Sequence, residues 1–186
     1  VKNIFSMATA LLSIFFALRY PLKPSQISLI SMFTIGIPGL LLSQIPNTEL
    51  IKGNFIGNIM AKALPGGVTN TILVIMMVLA GILFDINMDE ISTASTILLG
   101  IVGLIVLYSI SRPMDIFKTC IWITCTIGIT ISVLLFKDLF SLNESLSLQT
   151  LYICLLLVGL AKHVFKVVTT VTEWFISLHK RITTNR

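Results

Sequence analysis

The stretch Ser25-Gln-Ile-Ser-Leu-Ile-Ser-Met-Phe-Thr-Ile-Gly-Ile-Pro-Gly-Leu-Leu-Leu-Ser-Gln-Ile-Pro-Asn47 decides how the rest of the chain is read. It is apolar and long enough to cross a bilayer as a helix. Gly36, Pro38 and Gly39 fall near its centre, where a membrane helix should be most regular. Pro38 has no N–H, so the carbonyl of Thr34 loses its helical donor. In hydrocarbon a freed carbonyl needs protein, water or an ion to satisfy it. Ser28, Ser31 and Thr34 recur every third residue and form one hydroxyl-bearing stripe that ends beside the break. Two readings stand side by side. One is a broken helix whose oxygens form part of a cation pathway. The other is a proline kink whose hydroxyls bond their own backbone.

The composition sets the class. Of 186 residues, 55% are hydrophobic and 11% charged, and the mean hydropathy is +0.98. That excess of apolar surface marks an all-α integral membrane protein. Cys120, Cys125 and Cys154 lie in apolar spans without metal-ligand spacing and read as small buried residues. The net charge of +5 is dispersed, with no dense basic patch to track phosphates, so nucleic acid is not an expected partner. The lipid bilayer is.

Six spans are expected, at about 4–18, 26–45, 68–84, 93–110, 119–136 and 146–168, within one transmembrane domain covering 1–186. A basic amphipathic tail follows at 169–186, with Trp174 as its interfacial anchor. On the first span Ser6, Thr9 and Ser13 make a second polar stripe; it either tightens helix packing or faces the stripe of the second span. The segment from Thr48 to Gly67 reads as the largest connection, either a docking surface or an interfacial helix. Asp85, Asp89 and Glu90 form a short acidic loop, read as solvated, without the EF-hand pattern. No signal-peptide pattern precedes the first span, and the start at Val1 reads as a piece of something longer.

Alternating the spans from a cytoplasmic Lys2 sorts the basic residues. Lys2, Lys52, Lys62, Arg112, Lys118, Lys162, Lys166, Lys180, Arg181 and Arg186 fall inside, while Arg19, Lys23 and Lys137 fall outside. This bias places both termini in the cytoplasm. No expected span carries Asp, Glu, Lys or Arg at mid-depth, so only Ser, Thr, Asn and backbone oxygens remain to line an ion path. A hard divalent cation usually takes carboxylates among its ligands, so this chain by itself makes an incomplete site.

The run Gln26 to Pro38, followed by Pro46-Asn47 and Lys52-Gly53-Asn54-Phe55, resembles the sixth membrane helix and following loop of cation-translocating P-type ATPases, in the bacterial calcium and metal-cation branch. Leu64-Pro65-Gly66-Gly67 and Ser111-Arg-Pro-Met114 sit where that branch has similar turns. The resemblance covers essentially the whole chain. It implies helices five to ten of a pump in a bacterial plasma membrane. The first four helices and the cytoplasmic domains, with their Asp-Lys-Thr-Gly-Thr phosphorylation motif, would lie outside this chain. ATP and Mg2+ are implied for the complete pump, and the transported ion is implied to be Ca2+ or another metal cation. No ATP-hydrolysing residue is expected in this chain alone.

In the family's calcium pumps the sixth helix carries Asn and then Thr-Asp-Gly-Leu-Pro. The matching positions here are Ser31 and then Thr34-Ile-Gly-Ile-Pro38, so Ile35 stands in place of the carboxylate. The fifth helix lacks the family's glutamate. The resemblance therefore implies a single site rather than a two-calcium site. The expected contributors are Ser31, Thr34, the Ile35 backbone and the break at Pro38, with Thr9 and Ser13 as further candidates. A self-standing six-helix secondary transporter, a non-catalytic membrane subunit and a remnant of a pump gene remain the alternative readings.

Overall fold

The computed structural model describes residues 7, 10, 22–44, 55–142 and 146–184, giving only the backbone course for 55–62 and 175–184. Every regular element among the described residues is helical. Among the described residues, five helices are long and apolar enough to cross a membrane. We label them α1 (Pro24–Ser43), α2 (Phe55–Leu83), α3 (Met88–Ile110), α4 (Ile116–Leu135) and α5 (Leu148–Thr184). Of the expected first span only Met7 and Ala10 are described, both helical. The rest of that first span, with Thr9 and Ser13, lies outside the described residues.

Helix α3 is central. It packs against α1, α2, α4 and α5. Ile91, Ala94, Leu98, Leu99, Val102 and Val106 pack with Leu73, Val74 and Met77 of α2 and with Cys154, Leu157 and Ala161 of α5. On its other side Leu104 and Leu107 meet Ile121 and Cys125 of α4. Outward positions stay apolar, as at Leu40, Ile116, Leu134 and Leu155. Large exposed aliphatic side chains on every side are what a bilayer solvates and water does not.

The helix boundaries differ from the expected ones in two places. The segment 55–67 is no free connection: α2 begins at Phe55 and runs through Pro65, which is buried along with Gly66 and Gly67. An internal proline removes one helical hydrogen bond and normally ends a soluble helix. Membrane helices tolerate it where neighbours bury the turn. Likewise α5 continues without interruption from Leu148 to Thr184. Val167, Val171 and Trp174 lie exposed on it, an outward apolar face at its far end.

One end of the bundle is tied together by polar contacts. Helix α2 closes with the Ile86 N–H donating to the Gly81 carbonyl at 2.9 Å, with Asp85 at φ 52°. This left-handed cap is one that Asp accepts more readily than bulkier residues. Asn87 then caps α3, its Oδ1 accepting from the Asp89 N–H at 3.3 Å. Lys23 pairs with Asp89 at 2.9 Å. Glu90 Oε2 accepts from the Ser147 N–H, the Ser147 hydroxyl and the Thr150 hydroxyl at 3.0, 2.7 and 2.7 Å, capping the start of α5. The loops before α1, between α2 and α3, and between α4 and α5 therefore meet at the same end. Alternating spans require this of them.

Gln26 is the hub of that end. Its side chain is fully buried. Its Oε1 accepts from the Lys23 N–H at 3.0 Å and from the Ser92 hydroxyl at 2.7 Å, and its Nε2 donates to the Ser141 carbonyl at 3.2 Å. It joins α1 to α3 and to the loop after α4. Gln26→Ala strands buried donors and an acceptor, and is expected to lower stability by about 2 kcal/mol. Thermal unfolding of the purified protein in detergent checks this, and an unchanged midpoint would remove Gln26 from that role.

Candidate functional site

Helix α1 changes register midway. Pro24–Ser31 is α-helical, Met32–Gly36 is a π-helical turn, and Ile37–Ser43 is α-helical again. The Ile37 N–H reaches back five residues to the Met32 carbonyl. The wide turn takes up an extra residue just ahead of Pro38, where the ring would otherwise press on the preceding turn. Pro38 itself is buried. The expected break is thus a π turn in a continuous helix, not an unwound segment. The proline's chemistry persists: without an N–H, it donates to neither Phe33 in the five-residue register nor Thr34 in the four-residue one.

The hydroxyl stripe sits on this turn. Ser28 donates to the Pro24 carbonyl at 3.0 Å, Ser31 to Ile27 at 2.7 Å and Thr34 to Ile30 at 2.7 Å. Each hydroxyl therefore gives its hydrogen to its own helix. This does not use up the oxygen, which retains lone pairs. The arrangement is that of the second reading, in which the hydroxyls bond their own backbone.

Two close contacts hold the turn in place. Gly103 of α3 faces Thr34, and a Cβ at position 103 would overlap Thr34 Cγ2 and lie 3.0 Å from its Cβ. Gly128 of α4 faces the Phe33 ring, where an added Cβ would overlap Cε1 and lie 2.8 Å from Cδ1. Small residues at these points let the π turn seat between α3 and α4. A further tie on α3 comes from Trp122, whose Nε1 donates to the Leu104 carbonyl at 3.0 Å.

Beside the turn lies a half-open cavity of about 310 Å³ between α1, α2 and α3. Ser31, Thr34, Ile35 and Pro38 line it from α1, Gly103 from α3 and Asn70 from α2. It has room for several waters. No ionisable side chain lines it. Four of the expected site residues thus share one cavity wall. Ile35 is there with its side chain 47% exposed. The acidic loop stands elsewhere, its Asp89 and Glu90 engaged in the contacts described above. Among the described residues no group of three or more His, Cys, Asp or Glu is placed to hold a metal.

Asn70 and Gly103 were not among the expected site residues. Asn70 sits in Val68-Thr-Asn-Thr71 at the start of an apolar run, and an amide there is a signal a sequence can carry. Its side-chain oxygen is buried and has no hydrogen-bond partner. Leaving such a group unpaired costs about 1–3 kcal/mol. Gly103 carries no such signal, since glycine is common in membrane helices.

This arrangement defines a multi-pass, all-helical membrane segment with a neutral, oxygen-bearing cavity at a helix irregularity. Comparison with known proteins finds weak bacterial homologues. The chain is 30% identical over 135 residues to the calcium-transporting ATPase CtpE of Mycolicibacterium smegmatis, covering 69% of this chain and 17% of that protein. It is 32% identical over 100 residues to CtpE of Mycobacterium tuberculosis, covering 52% and 12%. It is 27% identical over 161 residues to the probable cation-transporting ATPase exp7 of Streptococcus pneumoniae, covering 81% and 21%. The chain is homologous to part of the bacterial cation-transporting P-type ATPases. It spans about a fifth or less of the length of these relatives. No family model matches it, and no solved structure does.

Proposed function

We propose that this chain is the membrane portion corresponding to helices five to ten of an ATP-driven cation pump, and that it supplies part of the cation pathway. The observation that carries the reading is the cavity at the π turn, where Ser31, Thr34, Ile35 and Pro38 share one wall. Thr34 and Ser31 offer hydroxyl lone pairs there. The carbonyls ahead of Pro38 offer the oxygens that the proline leaves without a donor. Thr9 and Ser13 are further candidates on the first span. Neutral oxygens alone suit a hard divalent cation poorly, so carboxylates from outside this chain complete the site. ATP hydrolysis with Mg2+ belongs to the cytoplasmic part of the pump. The distribution of basic residues supports cytoplasmic termini in a bacterial plasma membrane. The cargo is Ca2+ or another metal cation, and the similarity to CtpE favours Ca2+.

The test is transport by the full-length protein in proteoliposomes. Thr34→Val keeps the shape and removes the oxygen. Pro38→Ala returns an N–H to the turn. Each is expected to lower ATP-driven cation uptake about tenfold, equivalent to about 1.4 kcal/mol, with expression and thermal unfolding close to wild type. Wild-type uptake by both variants at normal expression would overturn the assignment.

A further inference from the structure

We infer that Asn70 of α2 is a cation-binding residue of this cavity, contributing a side-chain oxygen from outside α1 to the same ion. This rests on the pathway reading above and extends it to α2.

Three observations converge on Asn70. It is 6% exposed, so its side chain is withdrawn from both lipid and water. Its Oδ1 is buried without a hydrogen-bond partner. It lines the same cavity as Ser31 and Thr34. Buried polar atoms are paired nearly everywhere in proteins, and an exception calls for an explanation such as a bound ion or water. Two other buried hydroxyls, on Thr69 and Ser95, also lack partners. Neither lines the cavity, and neither is an amide. A side-chain amide oxygen is a hard, neutral ligand of the kind Ca2+ accepts beside carboxylates. Interhelical packing glue is the other common use of a membrane asparagine, but that use needs a bond across the helices, and the Asn70 oxygen makes none.

Asn70 lines the cavity together with the α1 residues, and its Oδ1, which has no exposed surface in this structure, reaches an ion there by a turn of its side chain. Spreading the ligands over two helices makes the site sensitive to how α1 and α2 sit relative to each other. A pump requires such sensitivity to change affinity between its states.

The test is equilibrium binding of Ca2+ alone to the full-length protein in detergent, with thermal unfolding of the same samples. Asn70→Leu keeps the approximate shape and removes the oxygen. It is expected to raise the Kd for Ca2+ about tenfold while leaving the unfolding midpoint unchanged or higher, because an unpaired buried atom has gone. Asn70→Asp adds a carboxylate at the same place and is expected to lower the Kd, which a packing role would not do. It also keeps the inference testable if the leucine variant fails to fold. Wild-type binding by both Asn70 variants, with weakened binding by Thr34→Val, would overturn the role of Asn70 and leave the pathway in place. Wild-type binding by Thr34→Val as well would remove both.

Discussion

Gly103→Ala is expected to cut cation transport by the full-length protein about tenfold or more, with little change in the amount of protein in the membrane. Position 103 touches no ion in this reading. Its effect runs through Thr34, because the new methyl would overlap Thr34 Cγ2 and approach Thr34 Cβ to 3.0 Å. Neither backbone gives way easily: α3 is held on four sides by other helices, and α1 is anchored at its start by Gln26. The strain falls on the π turn, and the Thr34 oxygen moves with it. The double variant Gly103→Ala with Thr34→Ser provides the control. Serine keeps the hydroxyl and lacks Cγ2, so it relieves the worst overlap and is expected to restore part of the transport. Ion-flux measurements on the two single variants and the pair check this. Equal losses in the single Gly103 variant and the pair would show that Gly103 acts elsewhere.

Gly128→Ala is expected to have the largest effect on stability, lowering it by about 1–3 kcal/mol, the usual range for overpacking a well-filled interior. The added methyl would overlap Cε1 of the Phe33 ring and lie 2.8 and 3.0 Å from Cδ1 and Cζ. A planar ring on a constrained turn cannot step aside as a flexible chain end can. The turn must shift or α4 must separate from it. Phe33→Ala in the same protein is expected to recover part of the loss, because it empties the space that the methyl needs. Thermal unfolding of the single and double variants in detergent measures both effects. If the losses simply added, the two positions would not be in contact.

How much of this was legible in the sequence varies with the residue. The all-helical membrane class followed from apolar length alone, since only an element that satisfies its own backbone crosses a bilayer. The importance of Pro38 followed from its missing N–H. The form taken at Pro38 did not. A break and a π turn relieve the same clash, and the choice between them depends on what packs against the turn, here Gly103 and Gly128. The hydroxyl stripe was visible as a spacing. That each hydroxyl hands its hydrogen to the carbonyl four residues back was one of two readings until the geometry was present. The continuation of α2 through Pro65 ran against local preference, because burial of that turn outweighs the lost hydrogen bond.

Some properties thus belong to the sequence by itself. Hydropathy, run length and the distribution of Lys and Arg are one-dimensional quantities that the bilayer reads directly, and they determine that this chain crosses a membrane several times. The order of its motifs carries the kinship with cation pumps. The tertiary structure alone decided which oxygens share a cavity. Asn70 lies more than thirty positions from Thr34 along the chain, and Gly103 a further thirty beyond Asn70. Nothing in local spacing joins them. They line one cavity because α1 and α2 both pack against α3.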